Sequence, residues 1–137
     1  AVTAVITDMI KPNGLAFSLD ESQLYVADTG RTHGAEHPKH IRVFDVKDAT
    51  VSGGRVFAES TVGLFDGFRL DVDGRIWTSA GDGIHCYEPD GTLIGKIRVP
   101  AVVANVCFGG LKRNRLFICG TTSLYAVYLM VSGAKTY

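Results

Sequence analysis

The sequence lacks a charge surplus of either sign: over 137 residues, 14 Lys and Arg stand against 14 Asp and Glu. A nucleic-acid binder needs a basic face to displace counterions, so no nucleic-acid partner is expected. The densest basic stretch, Lys112, Arg113 and Arg115, suits a charged turn. Long apolar runs are missing too. The longest apolar-rich segment, Val99 to Phe108, is broken by Pro100 and Asn105. It falls short of the ~20 residues of a membrane span, so no membrane partner is expected. Ala1 to Ala4 shows no basic region leading into an apolar block, and no signal peptide is expected. Cysteine is scarce. Cys86, Cys107 and Cys119 are too few and too far apart for a disulfide framework. Their apolar, strand-like surroundings predict buried free thiols, which suits a reducing compartment and a cytoplasmic location. No stretch carries a convincing helical period.

What is present points to one β-rich domain spanning residues 1–137. Hydrophobic residues make up 46% of the chain and charged ones 20%, which excludes a disordered polymer. A chain of this mass exposes roughly 21,000 Å² unfolded and roughly 7,000 Å² when compact, enough difference for one real core. Sixteen glycines punctuate short runs rich in Val, Ile, Leu, Phe and Tyr, the pattern of many strands joined by tight turns.

The runs repeat. Leu15 to Phe17, Phe68 to Leu70 and Val106 to Phe108 are each followed by a polar turn. Second strands then follow at Leu24 to Asp28, Ile76 to Ser79 and Leu116 to Cys119, and third strands at Ile41 to Phe44, Ile84 to Tyr87 and Leu124 to Val127. Fourth strands follow twice, at Arg55 to Ala58 and Thr92 to Ile97. Units of four antiparallel strands at this spacing are β-propeller blades. The expected blades span residues 13–60, 66–98 and 104–129. Val2 to Ile6 is read as a strand, so that residues 1–7 complete the third blade. Three blades are too few to close a ring of four to eight. Two copies would supply six, so a homodimer is expected, with Val2 to Ile6 exchanged between copies or closing its own blade.

Several stretches together carry a resemblance. Lys11 to Glu21, with Pro12-Asn13-Gly14 at its head, is followed by Leu24 to Gly30 and His40 to Val46. Phe65-Asp66-Gly67, Asp71 to Trp77, Tyr87 to Leu93 and Asn105 to Gly110 continue it. In this order they resemble the senescence marker protein / gluconolactonase / luciferin-regenerating enzyme family, C-terminal half only. The resemblance implies half of a six-bladed propeller, a divalent metal in the central channel and hydrolysis of a lactone or sugar-acid substrate. It also implies that Asn13 and Asp66 are metal ligands, while a Glu and a further Asn of the family pattern belong to a half that this sequence does not contain.

The residues themselves fit that chemistry. Asn13 and Asp66 each precede the first strand of a blade, where an innermost strand opens into the channel. An amide oxygen and a carboxylate suit Ca²⁺, Mg²⁺, Mn²⁺ or Zn²⁺. Such an ion polarises a carbonyl and acidifies water, and Asp66 is the candidate to move the proton as the catalytic residue. Asn-Gly and Asp-Gly are also common turn dipeptides. Ala104 occupies the third equivalent position and cannot ligate. Asn105, one residue on, is left out of the site. His33, His37 and His40 carry a weak zinc signal, but a loop folding over the channel mouth is the favoured reading. His85 is read as a packing residue, and Asp71 to Gly74 as a hairpin turn rather than a calcium loop. Two functions stay open: a metal-dependent, lactonase-like hydrolase half that needs a second half, and a non-catalytic propeller fragment or assembly module.

Overall fold

The structure is a computed structural model that describes residues 1–135. It holds three antiparallel sheets. The first contains β1 (Pro12–Phe17), β2 (Gln23–Asp28), β3 (His40–Lys47) and β4 (Thr50–Glu59), paired in chain order. The second contains β5 (Phe68–Leu70), β6 (Ile76–Ala80), β7 (Gly83–Tyr87) and β8 (Leu93–Arg98), again in chain order. The third contains β9 (Val103–Gly109), β10 (Arg115–Gly120) and β11 (Leu124–Tyr128). These are the meandering blades of a β-propeller. The only helical turn among the described residues is a short 3-10 segment, Gly30–His33.

Strand alternation explains the packing. One face of the first sheet offers Tyr25, Ala27, Ile41, Val43 and Ala58 to Phe65, Phe68, Leu70, Ile76 and Tyr87 of the second unit. The second sheet's other face offers Ile84, Trp77 and Ile97 to Val103, Val106, Phe108, Leu116 and Ile118 of the third. A sheet covered on both sides loses its polar alternation, and every residue of β7 is buried. The inner strands of neighbouring blades are joined by backbone hydrogen bonds. Gly14 N–H donates to the Asp66 carbonyl at 3.1 Å, and Gly67 N–H donates to the Ala104 carbonyl at 2.8 Å.

Both ends of the stack are open. On the first sheet Leu15 and Phe17 are 58% and 46% exposed, and on the third Leu124 and Tyr128 are 68% and 70% exposed. The accessible surface is 7846 Å², above the roughly 7,000 Å² of a closed compact chain of this mass. Open faces also correct the cysteine reading. All three thiols are free, but only Cys86 is buried; Cys107 and Cys119 are exposed on β9 and β10. Their sheet has no further blade against its outer face among the described residues.

Val2 to Ile6 forms no strand in the chain taken alone, and the third sheet has three strands. The segment has a better seat elsewhere. Ile6 and Met9 pack on Leu24, Val26 and Phe44, covering part of the first sheet's open face. The Asp28 carboxylate accepts the backbone N–H groups of Ile10 and Lys11, both at 2.9 Å, and fixes the entry into β1.

Candidate functional site

Asn13 lies at the start of β1, and Asp66 lies two residues before β5. The Gly14–Asp66 hydrogen bond draws these two segments together at one end of the inner strands. The approach demands glycine: a Cβ at residue 14 would run into the Asp66 carbonyl oxygen, and one at residue 67 would run into the Asn105 side-chain oxygen. Asn13 is exposed and Asp66 half-buried, so both remain open to solvent at this mouth.

Ser79 holds the Asp66 turn in place. Its hydroxyl accepts the Asp66 N–H at 2.9 Å, and its own N–H donates to the Gly67 carbonyl at 3.0 Å. Ser79 is fully buried. No motif surrounds it, so its part was invisible in the sequence. The third blade matches the first two in backbone but not in side chain. Ala104 accepts from Gly67 as Asp66 accepts from Gly14, which makes Ala104 the equivalent of Asp66 and leaves it without a donor atom. Asn105 stands over Gly67, with its side-chain oxygen accepting Val106 N–H at 2.9 Å.

The loop after β2 borders the same mouth. Thr29 N–H donates to the Lys11 carbonyl at 3.0 Å, and Lys11 Nζ donates to Thr32 Oγ1 at 2.9 Å. The histidines do not assemble into a zinc site: among the described residues no three His, Cys, Asp or Glu side chains converge on a common point. His40 starts β3, and burial there favours its neutral form, lowering its pKa. His37 faces Glu36 at 3.2 Å. His85 is fully buried as expected, with Nε2 2.6 Å from Asp82 Oδ1, while its Nδ1 finds no partner among the described residues. Lys96 Nζ reaches the other Asp82 oxygen at 3.1 Å. This cluster belongs to the second sheet, at the turn between β6 and β7.

A hard cation takes six to eight oxygens. The chain brings two candidate donors to one mouth and leaves them facing solvent, a donor set that fits part of a hard-cation site rather than a complete one.

With this geometry in view, the comparisons with known proteins are specific. Residues 1–122 match the SMP-30/Gluconolactonase/LRE-like region, and the chain belongs to that family. It is 34% identical over 123 residues to pentonolactonase XacC of Haloferax volcanii, covering 85% of this chain and 40% of that protein. Among solved structures it superposes on XC5397 of Xanthomonas campestris, described as a gluconolactonase, with a TM-score of 0.78 and 35% identity. That match covers 93% of this chain and 39% of the other. Regucalcin of Agrobacterium tumefaciens shares the fold, with a TM-score of 0.77 at 22% identity over 100% of this chain and 51% of that one. The chain thus spans less than half the length of the curated lactonase it matches.

Proposed function

We propose that this chain is one half of a metal-dependent lactone hydrolase, completed by a second half. The observation that supports the reading is the Gly14–Asp66 backbone contact, which joins the segments carrying Asn13 and Asp66 in a chain of the gluconolactonase-like family. Asn13 and Asp66 would hold a divalent cation: Ca²⁺, Mg²⁺, Mn²⁺ or Zn²⁺. When bound, such an ion supplies polarisation of a lactone carbonyl and a more acidic water. Asp66 takes the proton from the attacking water and returns it to the ring oxygen as the ester bond opens, giving a hydroxy acid. Ser79 positions Asp66 through its backbone and touches no reacting atom.

The second half would be another copy of this chain. Two copies would bring two Asn13 and two Asp66 to one channel, a ligand set the single chain does not offer. The rival reading, a non-catalytic propeller fragment or assembly module, draws on the same fact, since two donors alone hold a hard cation weakly. Calorimetric titration with each of the four cations, followed by turnover of a sugar lactone, separates the two. We expect binding that Asp66→Ala and Asn13→Ala each weaken at least tenfold, with activity only in the assembled form. An Asp66→Ala protein that binds metal as tightly as the parent would sink the lactonase reading.

A further inference from the structure

The mouth carries one more polar side chain, at the head of the third blade. Two backbone bonds set the inner strands in register, Gly14 N–H to the Asp66 carbonyl and Gly67 N–H to the Ala104 carbonyl. Asn13, Asp66 and Ala104 are therefore equivalent, and Gly14, Gly67 and Asn105 follow them as a second equivalent set. Two members of that second set are glycine. The third is an amide.

The orientation of this amide is fixed from two sides. The Asn105 oxygen accepts Val106 N–H at 2.9 Å. The same group fills the space that a Cβ on Gly67 would need, which keeps residue 67 a glycine. Gly67 follows Asp66, and their Cα atoms are about 3.8 Å apart. The amide thus stands one residue from the candidate base, across the boundary between the second and third blades. An amide carries its NH2 on the side away from its oxygen. With Oδ1 turned to Val106, Nδ2 gives no hydrogen bond to any described residue, and Asn105 is exposed. Ala104, exposed beside it, puts a methyl group where the first two blades put oxygen donors. Of the third blade's two leading residues, only Asn105 offers a polar side chain. Its contacts lie within the chain, so they stay in place when the open end faces are covered.

We infer that Asn105 Nδ2 is the donor to the acyl oxygen of the substrate: the lactone carbonyl during the reaction, and the carboxylate of the hydroxy acid after it. The inference rests on the lactonase reading and adds to it a residue that holds no metal. As water adds to the carbonyl carbon, Asp66 takes its proton and the carbonyl oxygen gains the negative charge. Nδ2–H donates to that oxyanion. The intermediate then expels the ring oxygen, which takes the proton back from Asp66, and the hydroxy acid is left. A donor oriented beforehand needs no rearrangement at that moment, and donors of this kind are worth about 10²–10³ in kcat.

The test turns on Asn105→Asp, which keeps an acceptor for Val106 N–H and removes the donor. In the assembled 137-residue chain, this variant should lower kcat for a sugar lactone about a hundredfold. KM should change by less than about threefold. Asn105→Ala should lose as much. A second readout needs no turnover. The sequence holds three Asn and one Gln, so each side-chain NH2 pair can be followed separately in a nitrogen–proton correlation spectrum. Gluconate, titrated in excess Mg²⁺, should shift the Asn105 pair. It should leave the pair of Asn114, which donates to the Leu129 carbonyl beyond the far end of β9. Calorimetry should show gluconate roughly tenfold weaker on Asn105→Asp than on the parent. A parent in which gluconate moves the Asn105 pair but no lactone opens would keep the donor assigned and end the lactonase reading. An Asn105→Asp protein as active as the parent, a loss confined to Asn105→Ala, or an Asn105 pair that gluconate leaves in place would each overturn the assignment.

Discussion

Asp71 shows how one buried carboxylate sets a whole hairpin. It is fully buried, and its Oδ1 accepts the N–H groups of Asp73 and Arg75, both at 3.0 Å. Its Oδ2 accepts Trp77 Nε1 at 2.9 Å, and Arg75 Nη1 lies 3.6 Å away. The Asp73-Gly74 tip then closes with Gly74 at φ +79°, a backbone setting that glycine adopts without strain. Removing the carboxylate leaves three donors unpaired in the turn, while the Arg75 guanidinium keeps Asp73 and Glu88 as partners. We expect Asp71→Ala to cost about 2–4 kcal/mol, read as a lower urea midpoint by Trp77 fluorescence. A loss below about 1 kcal/mol would mean that water replaces the carboxylate. Cys86, nearby on β7, illustrates the other effect of burial: loss of solvation pushes its thiol up to about 12, so it stays protonated and unreactive at neutral pH.

At the level of strands and blades, much was legible because each blade solves the same packing problem with the same pattern. Apolar triplets, a polar turn and a second apolar run recur at Leu15, Phe68 and Val106, and all three become inner strands. The hairpin at Asp71 to Gly74 was legible from its turn chemistry alone. Val2 to Ile6 forms no strand in the single chain, where Ile6 packs on the first sheet, and its part in completing the third blade stays a proposal about the assembled protein. Cys107 and Cys119 were misread because alternation marks a sheet face without telling whether another blade covers it. Asn13 and Asp66 stood out only through family likeness, since their dipeptides serve equally in turns. Ser79 acts by a hydroxyl and a backbone hydrogen bond to the Asp66 turn, which leave no trace in the order of residues. The inner-strand contact itself gives an element-scale prediction. Gly14→Ala places a Cβ against the Asp66 carbonyl and should cost about 1–3 kcal/mol as overpacking. It should also lower metal affinity although both donors remain. Gly95→Ala is the control: a Cβ on β8 meets nothing within 4 Å. If thermal unfolding shifts equally in both variants, close approach of the inner strands is not what fixes this mouth.

The molecule as a whole is a stack of three blades with an open face at each end. Sheet faces of this character are covered in closed propellers, and exposed apolar patches of this kind mark interfaces. The outer face of the third sheet carries Phe117, Leu124 and Tyr128, with Arg115 stacked on Phe117 and Tyr128 at 5.1 and 5.3 Å. The first sheet offers Leu15 and Phe17, with Ile6 and Met9 beside them. A twofold dimer would set the third sheet of each copy on the first sheet of the other, burying both open faces at once. β11 would still carry a free edge, where an exchanged strand could add. Light scattering should then give about twice the 14.7 kDa of the chain. Leu124→Glu should return the protein to monomer, because a carboxylate there would be buried unpaired. The thiols report the same event: Cys119 should be slow to alkylate in the dimer and fast in the Leu124→Glu variant, with Cys86 silent in both. Deleting residues 1–7 tells the two closures apart. If the N-terminal segment only caps the first sheet, the deletion removes Ile6 and costs about 1–2 kcal/mol with the mass unchanged. If it crosses to the other copy as an exchanged strand, the dimer itself dissociates. A parent chain that remains monomeric at high concentration, with Cys119 reacting freely, would exclude a two-copy ring and leave completion of the site to a different polypeptide segment.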